Sequence, residues 1–317
     1  MNSQINVIGS GAWGTALAVL FARAGKNVVM WARNPEIVAE MATWRIAPRL
    51  PNVVLPENLQ VTAQMPERGT SLVVVPTQHL RALAPRLPQN GPLILCCKGL
   101  EIGSLLLPPE FVSGQQIAVL TGPNFAHEVA AGLPAAAVLA TPDEMLRGEL
   151  IKLLKTDSLR LYGSPDMLGA ALGGAAKNVL AIAAGVVMGA GLGENARAAL
   201  ITRGLAEIGR LAQAIGGRAE TISGLSGLGD LLLTCTGPSS RNYSLGFALG
   251  KGESLAAVLQ QRTSVTEGVT TAPALLTRAQ KAGIEMPITE AVTRLLTQER
   301  TVSQTMVVLM GRALKDE

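Results

Sequence analysis

The segment Val7 to Ala18, V-I-G-S-G-A-W-G-T-A-L-A, limits what this chain can fold into more than any other. A short apolar run, Ile5 to Ile8, breaks into Gly9, Gly11 and Gly14, spaced G-x-G-x-x-G, and a helix-like run, Thr15 to Arg23, follows. Strand, glycine turn and helix in that order form the context in which this spacing signals a dinucleotide-binding unit. Gly9 permits the tight turn, Gly11 lets backbone touch a pyrophosphate, and Gly14 lets the helix sit close on the strand. The helix N-terminus then offers open N–H groups and partial positive charge to phosphates. An ordinary Gly-rich turn is the competing reading, and the βαβ pattern that follows argues against it.

That pattern continues for half the chain. Asn27 to Ala32, Ser71 to Val75, Leu93 to Cys97, Ile117 to Thr121, Ala135 to Ala140 and Leu159 to Tyr162 read as strands. They alternate with helical stretches such as Leu146 to Leu154, and Leu50 to Leu59, with two prolines, reads as an ordered loop. The class is α/β: a Rossmann-like doubly wound parallel sheet over residues 1–166. Ligands of such sheets sit beyond the strand carboxyl ends, so Pro76, Lys98 and Gly122 are expected to face one crevice. After Asp166 strand runs stop. Leu168 to Gly191, Asn195 to Ile215, Ser254 to Gln261, Ala272 to Ala282, Ile288 to Thr297 and Ser303 to Leu314 read as helices. Residues 167–317 therefore form an all-α C-terminal domain.

The 317 residues suffice for two domains, and 48% hydrophobic content is ample for a core. Net charge is only +4 and aromatics are 3%, without a Lys/Arg block. This argues against a nucleic-acid surface and suits an anionic small molecule better. Cys96, Cys97 and Cys235 are too few for a disulfide framework, and His79 and His127 lack metal-ligand spacing. The longest polar-free run, Val179 to Leu192, is shorter than the ~18 residues a membrane span needs. No targeting segment precedes the first strand, so a cytoplasmic protein without a membrane span is expected.

Some residues carry chemistry. NAD-selective folds place an acid near the end of the second strand, to bind the ribose 2′-OH. Here Arg33 and Asn34 stand there. Arginine pairs with a 2′-phosphate, which favours NADPH and leaves NAD possible; a solvated loop arginine is the plain alternative. Lys177 sits among small residues, with Gly173 and Gly174 one turn before it and Ala181 one turn after. Small neighbours leave room for a ligand or for another helix. A buried lysine is paired or functional, unless it reaches solvent from a helix edge. Ser223 to Asp230, S-G-L-S-G-L-G-D, is a glycine-dense turn whose Asp230 either orients Lys177 or caps a helix. Ser239-Ser240-Arg241-Asn242 suits a phosphate clamp or an exposed polar turn. Glu267 accepts from a ribose hydroxyl or caps a helix.

The motifs G-S-G-A-W-G-T-A-L-A, C-K-G-L-E, T-G-P-N-F-A-H-E-V-A-A-G-L-P, L-G-G-A-A-K-N-V-L-A-I-A-A-G, N-A-R-A-A-L-I-T-R-G-L-A-E and G-L-G-D-L-L-L-T-C-T-G-P-S-S-R-N follow one another in that order. From about Ile5 to Lys315 the chain resembles the bacterial type of NAD(P)-dependent glycerol-3-phosphate dehydrogenase. The resemblance implies interconversion of dihydroxyacetone phosphate and sn-glycerol 3-phosphate, which supplies phospholipid synthesis. It implies that Lys177 transfers the proton, with Asp230 beside it. Lys98, Gly122, Asn124, Asn178 and Thr234 match substrate positions, and Ser240, Arg241 and Asn242 match the holders of the phosphate end. Besides the three glycines, Ala12, Trp13, Arg33, Lys98, Ala126, Arg241, Val265 and Glu267 match cofactor contacts. The family commonly has Ser or Thr where this chain has Asn124, which puts that one contact in question. A homodimer is expected, its Ala/Gly-rich helices suiting a partner subunit. Two other readings remain: a reductase of hydroxy or sugar acids, which would lack the S-S-R-N clamp, and a dinucleotide sensor, against which the paired lysines speak.

Overall fold

The computed structural model describes residues 4–112, 116–262 and 266–313. The chain forms two compact units. One holds residues up to Lys98 together with Leu107–Ala171; the other holds Gly99–Leu106 and the chain from Leu172 onward.

Among the described residues the first unit contains ten strands: β1 Ile5–Ile8, β2 Val28–Trp31, β3 Ile46–Ala47, β4 Leu50–Val54, β5 Leu59–Thr62, β6 Thr70–Val73, β7 Leu93–Leu95, β8 Ile117–Thr121, β9 Ala135–Ala140 and β10 Leu159–Ser164. Eight form one sheet in the order β10-β9-β8-β7-β6-β1-β2-β5, while β3 and β4 pair as an antiparallel hairpin. From β5 across to β8 every neighbour is parallel. This is the doubly wound sheet expected, with one difference. β9 runs antiparallel to β8, and β10 is parallel to β9. An apolar run such as A-A-A-V-L-A marks a buried strand but carries no sign of its direction.

The chain leaves β1 for β2 and β5 on one side and returns to β6 on the other. The carboxyl end of β1 is therefore the switch point of the sheet, where open α/β folds take their ligands. The helix Ala12–Arg23 starts there. Its Leu17 and Phe21 are buried with Ile5, Val7, Val28 and Met30, about 2 kcal/mol for each large side chain removed from water. It stops at Gly25, whose φ of +73° lets the Lys26 N–H reach back to the Phe21 carbonyl at 3.1 Å.

The stretch Leu50 to Leu59 is not a loop. It supplies β4 and the first residue of edge strand β5. Pro51 is tolerated because β4 belongs to a two-stranded ribbon. Arg45 fastens the turn between them, donating to the carbonyls of Leu55, Pro56 and Leu59.

The second unit is helical. The long helix Met167–Gly189 carries the chain into it. The longer helices that follow are Gly193–Ala214, Arg241–Gly250, Glu267–Lys281, Pro287–Leu296 and Val302–Met310. The segment Gly99–Leu106 joins this unit, and Arg278 Nη1 donates to the Leu105 carbonyl at 3.1 Å. Gly185 and Gly189 face Gly246 and Gly250 across two of these helices. A Cβ on Gly185 would lie 2.1 Å from the Tyr243 oxygen, and one on Gly246 would lie 2.0 Å from the Ile182 oxygen. The backbones touch only because side chains are absent at i and i+4 on both helices.

Met167–Gly189 is, among the described residues, the one helix long and apolar enough to cross a membrane, and 94% of its most apolar window is buried inside the protein. The polar-free run misses this because the window admits Lys177 and Asn178. Nearby, the buried Glu207 carboxylate accepts the Ile288 and Thr289 N–H groups at 2.8 and 3.4 Å, capping Pro287–Leu296 from another helix. Burial raises its pKa to about 7 against these two bonds and the Arg210 charge. All three cysteines are buried and unbridged.

Candidate active site

In the first unit, parallel strands β2, β1, β6, β7 and β8 are consecutive neighbours, so their carboxyl ends share one edge. The residues that follow those ends are Arg33, Gly9, Pro76, Lys98 and Gly122. Pro76, Lys98 and Gly122 therefore lie along one edge of the sheet, past the carboxyl ends of their strands.

The three motif glycines differ in what surrounds them. Gly9 has φ +124°, and a Cβ there would lie 2.4 Å from the Val74 oxygen. A Cβ on Gly14 would lie 2.0 Å from the Gly9 oxygen. Both are required by the fold itself. Gly11 is not: nothing lies within 4 Å of a Cβ built on it. It caps the helix Ala12–Arg23 without any side-chain bond, and the first turn holds no acid. The indole Nε1 of Trp13 is buried there with no hydrogen-bond partner. Open space, unspent donors and a positive helix end fit a dinucleotide pyrophosphate.

Arg33 is exposed, and Asn34 spends its side chain capping the helix Pro35–Trp44 through the Glu36 N–H at 2.8 Å. Lys98 is half-buried and Ala126 opens the short helix Ala126–Ala130. Gly122 has φ +147°, and a Cβ there would lie 3.0 Å from the Ala137 Cα. Asn124 Nδ2 donates to the Ala136 carbonyl at 3.0 Å, and its buried Oδ1 has no partner. The Asn124 side chain thus braces itself on β9.

In the second unit, Lys177 lies mid-helix, 8% exposed, and its Nζ donates to Oδ1 of the fully buried Asp230. Asp230 opens the helix Asp230–Cys235 and is not its cap, that place being taken by Gly229. The glycine-dense stretch before it is a π-helical turn, Leu225–Gly229, seated on the lysine's own helix. A Cβ on Gly173 would come within 2.4 Å of the Ser226 oxygen. The small residues before Lys177 therefore admit a packed turn that delivers the aspartate.

Thr234 Oγ1 donates to the Asp230 carbonyl at 2.5 Å, a bond within its own helix. Cys235 follows it; burial first, then Asp230, raises its pKa, outweighing Lys177, so the thiol stays protonated. Ser239 to Asn242 is not a free turn. Ser240 caps the helix Arg241–Gly250, its Oγ accepting from the Tyr243 N–H at 3.2 Å. Arg241 is exposed at that helix start. Asn242 is buried, donating to Asn178 Oδ1 at 2.9 Å and accepting from the Gly268 N–H at 3.0 Å. Glu267 opens the helix Glu267–Lys281, and Val265 lies outside the described residues.

Two residues were not legible as site residues. Arg262 donates to the Arg241 carbonyl at 2.7 Å and to Ser244 Oγ at 3.0 Å. Burial and the Arg241 charge both lower its pKa. Two guanidinium groups at one helix N-terminus repel unless an anion joins them. The other is Gly268, whose contacts no local pattern announces.

Residues 4–147 match the family model for the NAD-dependent glycerol-3-phosphate dehydrogenase N-terminus, and residues 166–307 match that for its C-terminus. A protein of Acidiphilium cryptum named glycerol-3-phosphate dehydrogenase, NAD(P)+, is 58% identical, covering 99% of this chain and 98% of that one. One of the same name from Gluconobacter oxydans is 52% identical over 98% and 97%. A crystal structure of glycerol-3-phosphate dehydrogenase from Coxiella burnetii superposes with a TM-score of 0.91 at 39% identity, covering 98% of this chain and 99% of that one.

Proposed function

Because the chain belongs to the NAD-dependent glycerol-3-phosphate dehydrogenase family, we propose that it interconverts dihydroxyacetone phosphate and sn-glycerol 3-phosphate, bound NAD(P)H supplying hydride to the carbonyl carbon. The observation that carries this reading is the buried Lys177–Asp230 pair. As the carbonyl carbon is reduced, negative charge grows on its oxygen. Lys177 stabilises that charge and gives up a proton, which solvent returns before the next turnover; Asp230 holds the ammonium in place and favours its charged form. Run backwards, Lys177 takes the alcohol proton.

Lys98 adds positive charge beside the ketone, and Gly122, Asn124, Asn178 and Thr234 line it. Arg241, with Ser240 and the second amide hydrogen of Asn242, holds the phosphate. Arg262 supports that assignment by adding a second cation to the helix end. Fixing the remote phosphate turns binding energy into orientation of the carbonyl. Gly9, Gly11, Ala12, Trp13, Gly14, Arg33, Ala126, Val265 and Glu267 hold the cofactor. The first unit serves as its domain and the second as the catalytic domain, the division expected at residue 166 being shifted to Ala171 and the segment Gly99–Leu106 passing to the second unit.

Arg33, standing where an acid would select NAD, favours NADPH. We read the enzyme as a cytoplasmic homodimer supplying glycerol 3-phosphate for phospholipid synthesis. The test is NADPH absorbance with a substrate panel. Dihydroxyacetone phosphate should be reduced far faster than any 2-keto acid. A preferred keto acid, or no oxidation with any substrate, would overturn the reading.

A further inference from the structure

We propose that the Gly268 N–H, acting through Asn242, sets which end of the Asn178 amide meets the substrate, making Gly268 and Asn242 positioning residues for the reaction. The inference rests on the functional reading above and adds a direction to it.

The chain of bonds starts from an atom whose polarity is fixed. A backbone N–H only donates, so the end of Asn242 that lies 3.0 Å from Gly268 N is its oxygen. The opposite end is then Nδ2, which donates to Asn178 at 2.9 Å. The Asn178 atom receiving it is therefore Oδ1, and the Asn178 Nδ2, with two hydrogens, is the end turned away. Asn178 directly follows Lys177 on the same buried stretch of helix. It presents donors, not its oxygen, to a ligand whose charge grows on oxygen.

The start of the relay is built tightly. Gly268 is the second residue of its helix, where an N–H has no partner within the helix. The cap residue Thr266 makes no side-chain bond, and its buried Oγ1 has no partner. Asn242 supplies the missing acceptor from another helix. A Cβ on Gly268 would lie 2.6 Å from Asn242 Oδ1, 2.7 Å from Ile182 Cδ1 and 2.8 Å from the Asn178 carbonyl. Only glycine lets the three helices close on one another here.

Asn242→Asp separates polarity from stability. Aspartate keeps an oxygen for the Gly268 N–H but faces Asn178 with a second acceptor. Asn178 then turns over, donating to Asp and pointing its own oxygen outward. Both hydrogen bonds survive, and the outward donor is lost. Asn242→Ala instead removes both bonds and leaves Asn178 undirected. We expect Asn242→Asp to melt closer to the wild type than Asn242→Ala does. Its kcat at saturating dihydroxyacetone phosphate should nevertheless be the lower of the two. It should fall about a hundredfold, the scale of one lost donor to a developing oxyanion, against about tenfold for alanine. Repulsion of the substrate phosphate by the new carboxylate raises KM and, through lost orientation, lowers kcat as well, so the relay also requires Asn178→Asp, whose Asn242 still faces the phosphate, to lose about as much kcat.

A kcat for Asn242→Asp equal to or above that of Asn242→Ala would overturn the relay, since a merely structural amide predicts that order. Should Asn242→Asp fail to fold, Asn178→Asp reads the same point. It keeps the bond from Asn242 and puts an oxygen outward, so it should lose about as much kcat; a loss under threefold overturns the relay. A wild-type protein inactive on dihydroxyacetone phosphate overturns the functional reading and the relay with it. An active wild type with the wrong variant order overturns the relay alone.

Discussion

Gly11 in the first unit and Gly173 in the second do opposite work. At Gly11 in the first unit a missing side chain leaves a space that no protein atom enters. At Gly173, Gly185, Gly246 and Gly268 in the second, the space is already filled by another helix or turn. One kind of glycine keeps room for a ligand; the other removes room so that buried polar groups meet. A small-residue pattern alone does not tell them apart. The difference lies in whether backbone from elsewhere occupies the gap.

Five variants, in four tests, break or sharpen this contrast. The largest effect is expected at the filled site. Asp230→Asn strips the counter-charge from a buried ammonium, a loss of about 3–5 kcal/mol. Denaturant unfolding should show it, together with a kcat reduced beyond a hundredfold. Normal stability would mean Lys177 reaches solvent.

Next is a pair within the glycine turn. Gly9→Ala forces a Cβ against the Val74 oxygen at positive φ and should cost about 3 kcal/mol of stability. Gly11→Ala should leave the melting temperature unchanged while weakening cofactor binding about tenfold, read by titration calorimetry. Equal melting temperatures for the two variants would erase the distinction between filled and open glycines.

A third test concerns the buried cap. Burial lifts the folded Glu207 pKa from 4.5 to about 7, so the folded state binds this proton more tightly than the unfolded chain. Its contribution is complete below pH ~4.5 and is lost as pH rises through ~7, up to about 3 kcal/mol. The wild type should lose stability over that window relative to Glu207→Gln. Parallel pH profiles for the two would mean Glu207 is ionised throughout.

The smallest effect is at the surface. Arg33→Asp should move the NADPH/NADH ratio of kcat/KM toward NADH by about tenfold, without changing stability. An unmoved ratio would make Arg33 a solvated loop residue.

Much of the first unit was legible because a buried parallel strand is written as a short apolar run and its ligand turn as glycine. The strands β1, β2, β7 and β8, which Gly9, Arg33, Lys98 and Gly122 follow, were all readable this way, whereas β3, β4 and β5 were not. β4 and the start of β5 were hidden because Pro51 and Pro56 read as loop, and nothing in the sequence shows Arg45 gathering three carbonyls. The Glu267–Lys281 helix begins five residues before Ala272, where helical spacing alone would start it. Pro273 suits a first turn, and here it sits in the interior instead. The Arg241–Gly250 helix was hidden behind Ser240, whose capping role looks like a turn in one dimension. The pairing of Lys177 with Asp230 spans 53 residues and came from the motifs, because no local period reports it. The amide relay had no sequence signal, since its polarity is set by a backbone N–H.

The most direct test of the account is steady-state kinetics of Lys177→Ala with dihydroxyacetone phosphate, beside cofactor affinity measured by NADPH fluorescence. Turnover should fall by at least ~100-fold, the usual scale for a lost general acid, while NADPH binds nearly as before. A loss below about tenfold would contradict the claim that this buried ammonium delivers the proton.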